Sequence, residues 1–122
     1  MTLVDTSVWI DHFRKGNARL RKMLEEGEVA THPMILGELA CSNLAKRAQT
    51  LRLLARLPGI PPVPDRLVLQ SIQSRRLWGQ GIGWIDAHLI TASLLSSVPL
   101  WTLDQRLAKR LFLRIILEPI VN

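Results

Sequence analysis

The feature that most limits what this chain can fold into is a short apolar run that stops at an acid and gives way at once to a helical pattern. It occurs twice. Leu3 and Val4 end at Asp5, after which Val8, Trp9, Ile10 and Phe13 repeat at helical spacing. Val98 to Leu103 is β-like and ends at Asp104, directly ahead of the basic helical stretch Gln105 to Arg110. Thr6 and Ser7 stand where helix-capping hydroxyls belong, and either can also bond a neighbouring carboxylate or a metal-held water.

Between these two junctions the pattern keeps alternating. Asn17 to Glu26 reads as a helix stopped by Gly27, and Glu28 to Thr31 as a brief strand. Pro33 suits the first turn of a helix whose apolar spacing runs through Glu38 and on to Leu54, with a bend expected near Ser42 and Asn43. Gly59 to Pro64 is a connector with room for an edge strand at Val63. Asp65 has the place of an N-cap for a helix reaching about Trp78. Gly79, Gly81 and Gly83 then form a flexible loop that lacks a leading strand and a lysine, so it is no phosphate-binding fingerprint. Trp84 to Leu95 follows as a mostly apolar helix carrying Asp86 in its first turn. A last short strand is expected over Ile115 to Val121, at a sheet edge because Pro119 interrupts it.

Alternating strands and helices without a repeat imply a three-layer α/β/α domain around a central, mostly parallel sheet. The 122 residues fall within the range of one domain, so residues 1–122 are expected to form a single unit. Every long apolar run is broken well before the ~20 residues of a bilayer span. Asp5 interrupts the N-terminal apolar stretch and no basic segment precedes it, so a cytoplasmic protein without a membrane partner is expected. The single cysteine, Cys41, allows neither an intrachain disulfide nor a thiolate metal cluster, and is expected to be a buried, inert thiol. An excess of 16 Lys and Arg over 10 Asp and Glu, giving a net charge of +6, favours polyanionic partners.

Six of the ten carboxylates have ready structural roles. Asp11 lies on a helix face, Glu25, Glu26 and Glu28 border a helix end, Asp65 caps a helix, and Glu118 sits in a turn region. Asp5, Glu38, Asp86 and Asp104 differ, because their immediate neighbours are apolar and unpaired charge is costly there. Singly, each reads as a turn, capping or salt-bridged residue. Jointly they point to a shared site, since strand ends in open α/β sheets border the ligand crevice and early helical turns can face it.

Gathering acids needs a compensating cation, because two carboxylates ~4 Å apart repel by ~4 kcal/mol at an effective dielectric of ~20. Hard oxygen donors without cysteine suit Mg²⁺ or Mn²⁺ better than zinc. Such an ion lowers the pKa of attacking water and neutralises charge on a scissile phosphate. Metal-assisted phosphodiester hydrolysis is the reaction class that follows.

Four segments resemble the motifs of the PIN-domain family, in particular the VapC-type toxins. They are Leu3-Val4-Asp5-Thr6-Ser7-Val8-Trp9-Ile10, Ile35-Leu36-Gly37-Glu38-Leu39, Gly83-Trp84-Ile85-Asp86-Ala87-His88-Leu89-Ile90 and Trp101-Thr102-Leu103-Asp104. The resemblance implies a PIN-like fold and an endoribonuclease in which Asp5, Glu38, Asp86 and Asp104 are catalytic and bind Mg²⁺ or Mn²⁺. It further implies a homodimer, a cognate antitoxin, and structured RNA such as tRNA as substrate. The sequence departs from many relatives at Gln105-Arg106-Leu107, where those relatives carry a further acid.

His12 and His32 are expected at the surface or in turns, and His88, two positions beyond Asp86, as a packed or solvated side chain rather than a ligand. Lys46, Arg47, Arg52, Arg56, Arg75, Arg76, Lys109 and Arg110 read either as solvated faces or as phosphate contacts. Trp78, Trp84 and Trp101 are candidates for base stacking, with core or interface packing as the plainer expectation. Two other function classes compete with the nuclease. One is a catalytically silent RNA-binding or antitoxin-docking module. The other is phosphotransfer through an aspartyl-phosphate, disfavoured because Ser7 stands where a phosphatase motif needs a second Asp.

Overall fold

The computed structural model describes residues 1–111, so the strand expected over Ile115 to Val121 lies outside the described residues, as does the turn acid Glu118. The first strand, β1 (Thr2–Val4), leads into the helices α1 (Thr6–Lys15) and α2 (Ala18–Glu25), then strand β2 (Val29–Ala30). Helices α3 (Pro33–Ala40), α4 (Arg47–Ala55), α5 (Asp65–Arg75) and α6 (Trp84–Ser96) follow. Strand β3 (Leu100–Trp101) and helix α7 (Gln105–Leu111) complete the described chain.

All strand pairing among the described residues is parallel, in the order β2-β1-β3, with Leu3 opposite both Ala30 and Leu100. The connections from β1 to β2 and from β2 to β3 step in opposite directions across the sheet. Because such crossovers are right-handed, their helices fall on opposite faces, which gives the expected three-layer α/β/α arrangement. Leu3 and Val4 are both fully buried although they are adjacent, since both faces of β1 are covered. The same logic applies to α6, where every residue from Ala87 to Leu94 is buried. A helix apolar on all sides belongs in the middle of a protein, and α6 packs against α5, α3 and β3.

Local signals explain most element ends. Asn17 Oδ1 accepts from Leu20 N at 2.9 Å, capping α2. Pro33 occupies the first turn of α3, and His32 caps that helix by accepting from Met34 N at 3.0 Å through Nδ1. Of the surface and turn positions expected for it, His32 takes the turn into α3 and is fully buried there. Burial, and to a smaller extent the nearby His88, holds its pKa below the ordinary 6.5, so its neutral form carries the proton on Nε2.

Several elements differ from the sequence reading. The helix expected to run from Pro33 to Leu54 is two helices, because Ser42 Oγ donates to Leu39 O at 2.6 Å and Lys46 adopts a left-handed conformation with φ 48°. The connector pairs at Gly59, opposite Thr31, rather than at Val63. Pro64 takes the N-cap position of α5, so Asp65 is a first-turn residue whose carboxylate lies 3.2 Å from His88 Nε2. That helix stops at Arg75 because Arg76 turns left-handed. Strand β3 spans two residues only, since the chain leaving α6 first closes that helix with Val98 N donating to Ser93 O at 3.1 Å. Cys41 is exposed, not buried, being the residue at which α3 ends.

If α6 is the centre of the core, Leu89→Ala should destabilise the protein by about 2–5 kcal/mol. Asn17→Ala, which removes only a cap, should cost about 1 kcal/mol. Urea denaturation of both variants measures the two effects, and the reverse order would contradict this account of the core.

Candidate active site

Asp5 follows β1 directly and is nearly buried, 6% exposed. Its backbone N–H donates to Trp101 O at 2.9 Å, which continues the β1–β3 pairing by one residue. Although Asp5 holds the N-cap position of α1, its side chain makes no cap bond. The Oδ2 atom instead accepts from Ser7 Oγ at 2.8 Å and from Thr102 Oγ1 at 2.7 Å. Each hydroxyl has one proton, so with both directed at Asp5 their mutual 3.2 Å contact is not a further hydrogen bond.

The same two hydroxyls accept from the segment that leads to Asp104. Leu103 N donates to Ser7 Oγ and Asp104 N to Thr102 Oγ1, both at 3.0 Å. Asp104 then caps α7, its Oδ1 accepting from Arg106 N at 2.9 Å and from Leu107 N at 3.3 Å. Of the two alternatives open for Ser7, the structure therefore selects the carboxylate partner over the helix cap. Thr6 makes the same choice, donating to Glu38 Oε1 at 2.7 Å from the first residue of α1. Glu38 projects from α3 and lines an open cavity of about 430 Å³ together with Ile85, the neighbour of Asp86.

Asp86 sits in the first turn of α6 and its Oδ2 accepts from Gly83 N at 3.1 Å. Burial raises its pKa above the ordinary 3.8, and the charges of Asp5 and Asp104 raise it further, against the opposing effects of the Gly83 N–H and of Arg106. Asp5 and Asp104 thus both lie within electrostatic reach of Asp86. Glu38 joins them through Thr6, next to Asp5 in the chain, rather than through direct contact. All four acids share one arrangement: one carboxylate oxygen is fixed by a donor, and the other receives no donor among the described residues.

The site fits a hard cation that keeps part of its water shell. Its donors are carboxylate oxygens, and like charges act on Asp86 without full compensation. Among the described residues no three His, Cys, Asp or Glu side chains close on a single point. Mg²⁺ tolerates this, since it is usually held by one or two carboxylates and several waters.

Thr102 and Arg106 were not singled out by the sequence reading. The signal for Thr102 is its place between a strand end and Asp104. For Arg106 it is a cation two residues beyond an acid, and its Nε lies 3.9 Å from Asp104 Oδ1.

The family model for the PIN domain matches residues 2–112. The chain belongs to the PIN-domain family. It is also similar to Ribonuclease VapC32 from two strains of Mycobacterium tuberculosis, with 44% identity over 108 residues that cover 88% of this chain and 87% of the relative. The likeness extends the resemblance seen in the four motifs to VapC-type PIN domains over nearly the whole chain.

The raised pKa of Asp86 in this PIN domain gives a pH dependence of definite sign. Unfolded, Asp86 titrates near 3.8; folded, it holds its proton to higher pH, so the folded state binds more protons between the two values. Stability therefore falls as pH rises from 3.8 through the folded pKa and stays lowered above it. Asp86→Asn should raise the melting temperature measured in chelator at pH 7, and lose that advantage at pH 3. An equal or lower melting temperature at pH 7 would mean that Asp86 carries no such electrostatic penalty.

Proposed function

We propose that this PIN domain is a metal-dependent endoribonuclease that hydrolyses phosphodiesters of tRNA or another structured RNA, as the toxin of a type II toxin–antitoxin pair. On this reading residues 1–122 form one cytoplasmic nuclease domain that works as a homodimer and is held in check by a cognate antitoxin. The relative's name supports ribonuclease chemistry. The observation that carries the reading is the shared state of Asp5, Glu38, Asp86 and Asp104, each with one oxygen held and the other open. Four carboxylates so arranged are prepared to receive a cation.

Asp5, Glu38, Asp86 and Asp104 would hold Mg²⁺ or Mn²⁺. A bound cation there supplies Lewis-acid polarisation of a phosphodiester oxygen and eases deprotonation of attacking water. Ser7 and Thr102 fix the rotamer of Asp5, so that its free oxygen keeps one direction. Thr6 does the same for Glu38, and the Gly83 N–H for Asp86. Such fixation matters because a displacement of ~1 Å at a reacting group can cost ~100-fold in rate. The net charge of +6 draws a polyanion toward the domain.

The test is cleavage of labelled total tRNA, with a DNA control, in Mg²⁺, in Mn²⁺ and in excess chelator. Asp5→Asn, which keeps an oxygen to accept from Ser7 and Thr102, and Asp86→Ala should each lower the rate by about 100-fold or more, the scale expected when several kcal/mol of charge stabilisation is lost. Circular dichroism should show both variants folded. RNA binding that persists in chelator, with no cleavage under any condition, would instead support the silent RNA-binding or antitoxin-docking module.

A further inference from the structure

The segment between α5 and α6 builds a second feature beside the acids. Gly79 and Gly81 have φ of +70° and +76°, a path closed to most side chains, and buried Leu77 anchors the segment at its start. Trp78 and Trp84 stand at its two ends, 56% and 42% exposed, so neither packs in the core of this chain. Both line one open cavity of about 310 Å³, whose remaining wall includes Ile72, Leu77, Ile82 and Ala87.

Gly83 also borders this cavity, and its N–H is the group bound to Asp86 Oδ2. The hollow and the acidic crevice therefore share a wall. Arg106 lies across the same segment: a Cβ added at Gly81 would come within 3.1 Å of both Cδ and Nη1 of Arg106. Its side chain is 71% exposed and its Nε is 3.9 Å from Asp104 Oδ1. An aromatic hollow, a cation and the acids thus adjoin one another.

We propose that the hollow between Trp78 and Trp84, together with Arg106, is a nucleotide subsite that takes one unpaired RNA base next to the scissile phosphodiester. This rests on the nuclease reading above and extends it to the form of RNA recognised. The flat faces of a base match exposed indole rings, and stacking of this kind tolerates any base. At the lower end of the ~300–1,000 Å³ typical of ligand pockets, the hollow suits one base rather than several. A base inside a duplex has both faces covered, so the subsite selects loops and single strands. The Arg106 guanidinium supplies the charge that a phosphate of the same strand requires, which an apolar protein partner would leave unused.

The experiment measures binding by the whole chain in excess chelator, using fluorescein-labelled random-sequence RNA of twelve nucleotides. An abasic RNA backbone of the same length and a twelve-base-pair RNA duplex serve as comparison ligands. Trp78→Ala should weaken single-stranded RNA binding by about 5- to 150-fold. It should leave abasic RNA unchanged, and Trp78→Phe should stay within about threefold of wild type. Arg106→Gln should weaken RNA and abasic RNA alike, and reduce the salt slope by about 0.7.

Wild-type affinity of Trp78→Ala for single-stranded RNA would overturn the subsite, as would equal losses for RNA and abasic RNA. A changed sedimentation coefficient with unchanged RNA binding would also overturn it, and would make the two tryptophans a protein interface. Metal-dependent tRNA cleavage by wild type, measured in parallel, separates the two readings. If wild type cleaves while Trp78→Ala binds normally, only the subsite falls. If wild type neither binds nor cleaves RNA, the nuclease reading falls with it.

Discussion

The bonds that converge on Asp5 Oδ2 hold together the part of the molecule on which the site depends. Strand pairing here is short, with two registered pairs between β1 and β2 and two between β1 and β3. A ladder of that length leaves the strand ends free to splay. Ser7 and Thr102 prevent this by donating to one carboxylate oxygen while accepting the backbone N–H groups of Leu103 and Asp104. Hydrogen bonds to a charged group contribute about 1.5–3 kcal/mol each, more than neutral ones. One carboxylate thereby sets the spacing between the β1–α1 and β3–α7 junctions, and with it the separation of Asp5 from Asp104.

That fixation works against the electrostatics of the same region. Asp86, partly buried, feels the charges of both Asp5 and Asp104, and the opposing influences come from one backbone N–H and from Arg106. The fold supports such a concentration of like charge because its carriers stand on well-packed elements. Leu3 and Val4 precede Asp5 within the core, and the eight residues after Asp86 are buried in α6. Repulsion that would separate the acids on loops is met here by packing that cannot yield without opening the core.

Much of this arrangement was legible in the residues themselves. Asp5 and Asp104 stand at strand-to-helix junctions, and local periodicity is enough to place them at the carboxyl edge of a parallel sheet. Glu38 and Asp86 were legible as acids among apolar neighbours; Asp86 keeps the early helical turn expected of it, whereas α3 is so short that Glu38 falls in its last turn. What local pattern does not carry is long-range partnership. Thr102 is ninety-seven positions from the carboxylate it binds, and His32 is buried within electrostatic reach of His88 of α6, a neighbour absent from its flanking residues. Helix ends failed for a related reason. Apolar spacing continues from Leu39 to Leu54, yet a side-chain bond from Ser42 and a left-handed Lys46 divide the segment. Cys41 is exposed because it falls at that break, whereas its residue type alone favours burial.

The position of Asp86 separates two demands that usually conflict. Chemistry needs a carboxylate that does not move, and recognition needs a surface that can differ between relatives with different substrates. Asp86 lies at the boundary: the residues after it form the most buried helix of the described chain, while those before it form a glycine-containing segment with large exposed side chains. The Gly83 N–H joins the two parts by a single bond to Asp86. The exposed Trp78 side chain can change without altering the core contacts that hold the acids, provided that bond and the positive φ of Gly79 and Gly81 are kept, whereas Ile82 packs against Leu77, Ile90, Leu94 and Leu107 and Trp84 lies edge-on to His88. On the nuclease reading proposed above, the same frame of acids would accept different substrates through changes confined to the exposed part of this segment.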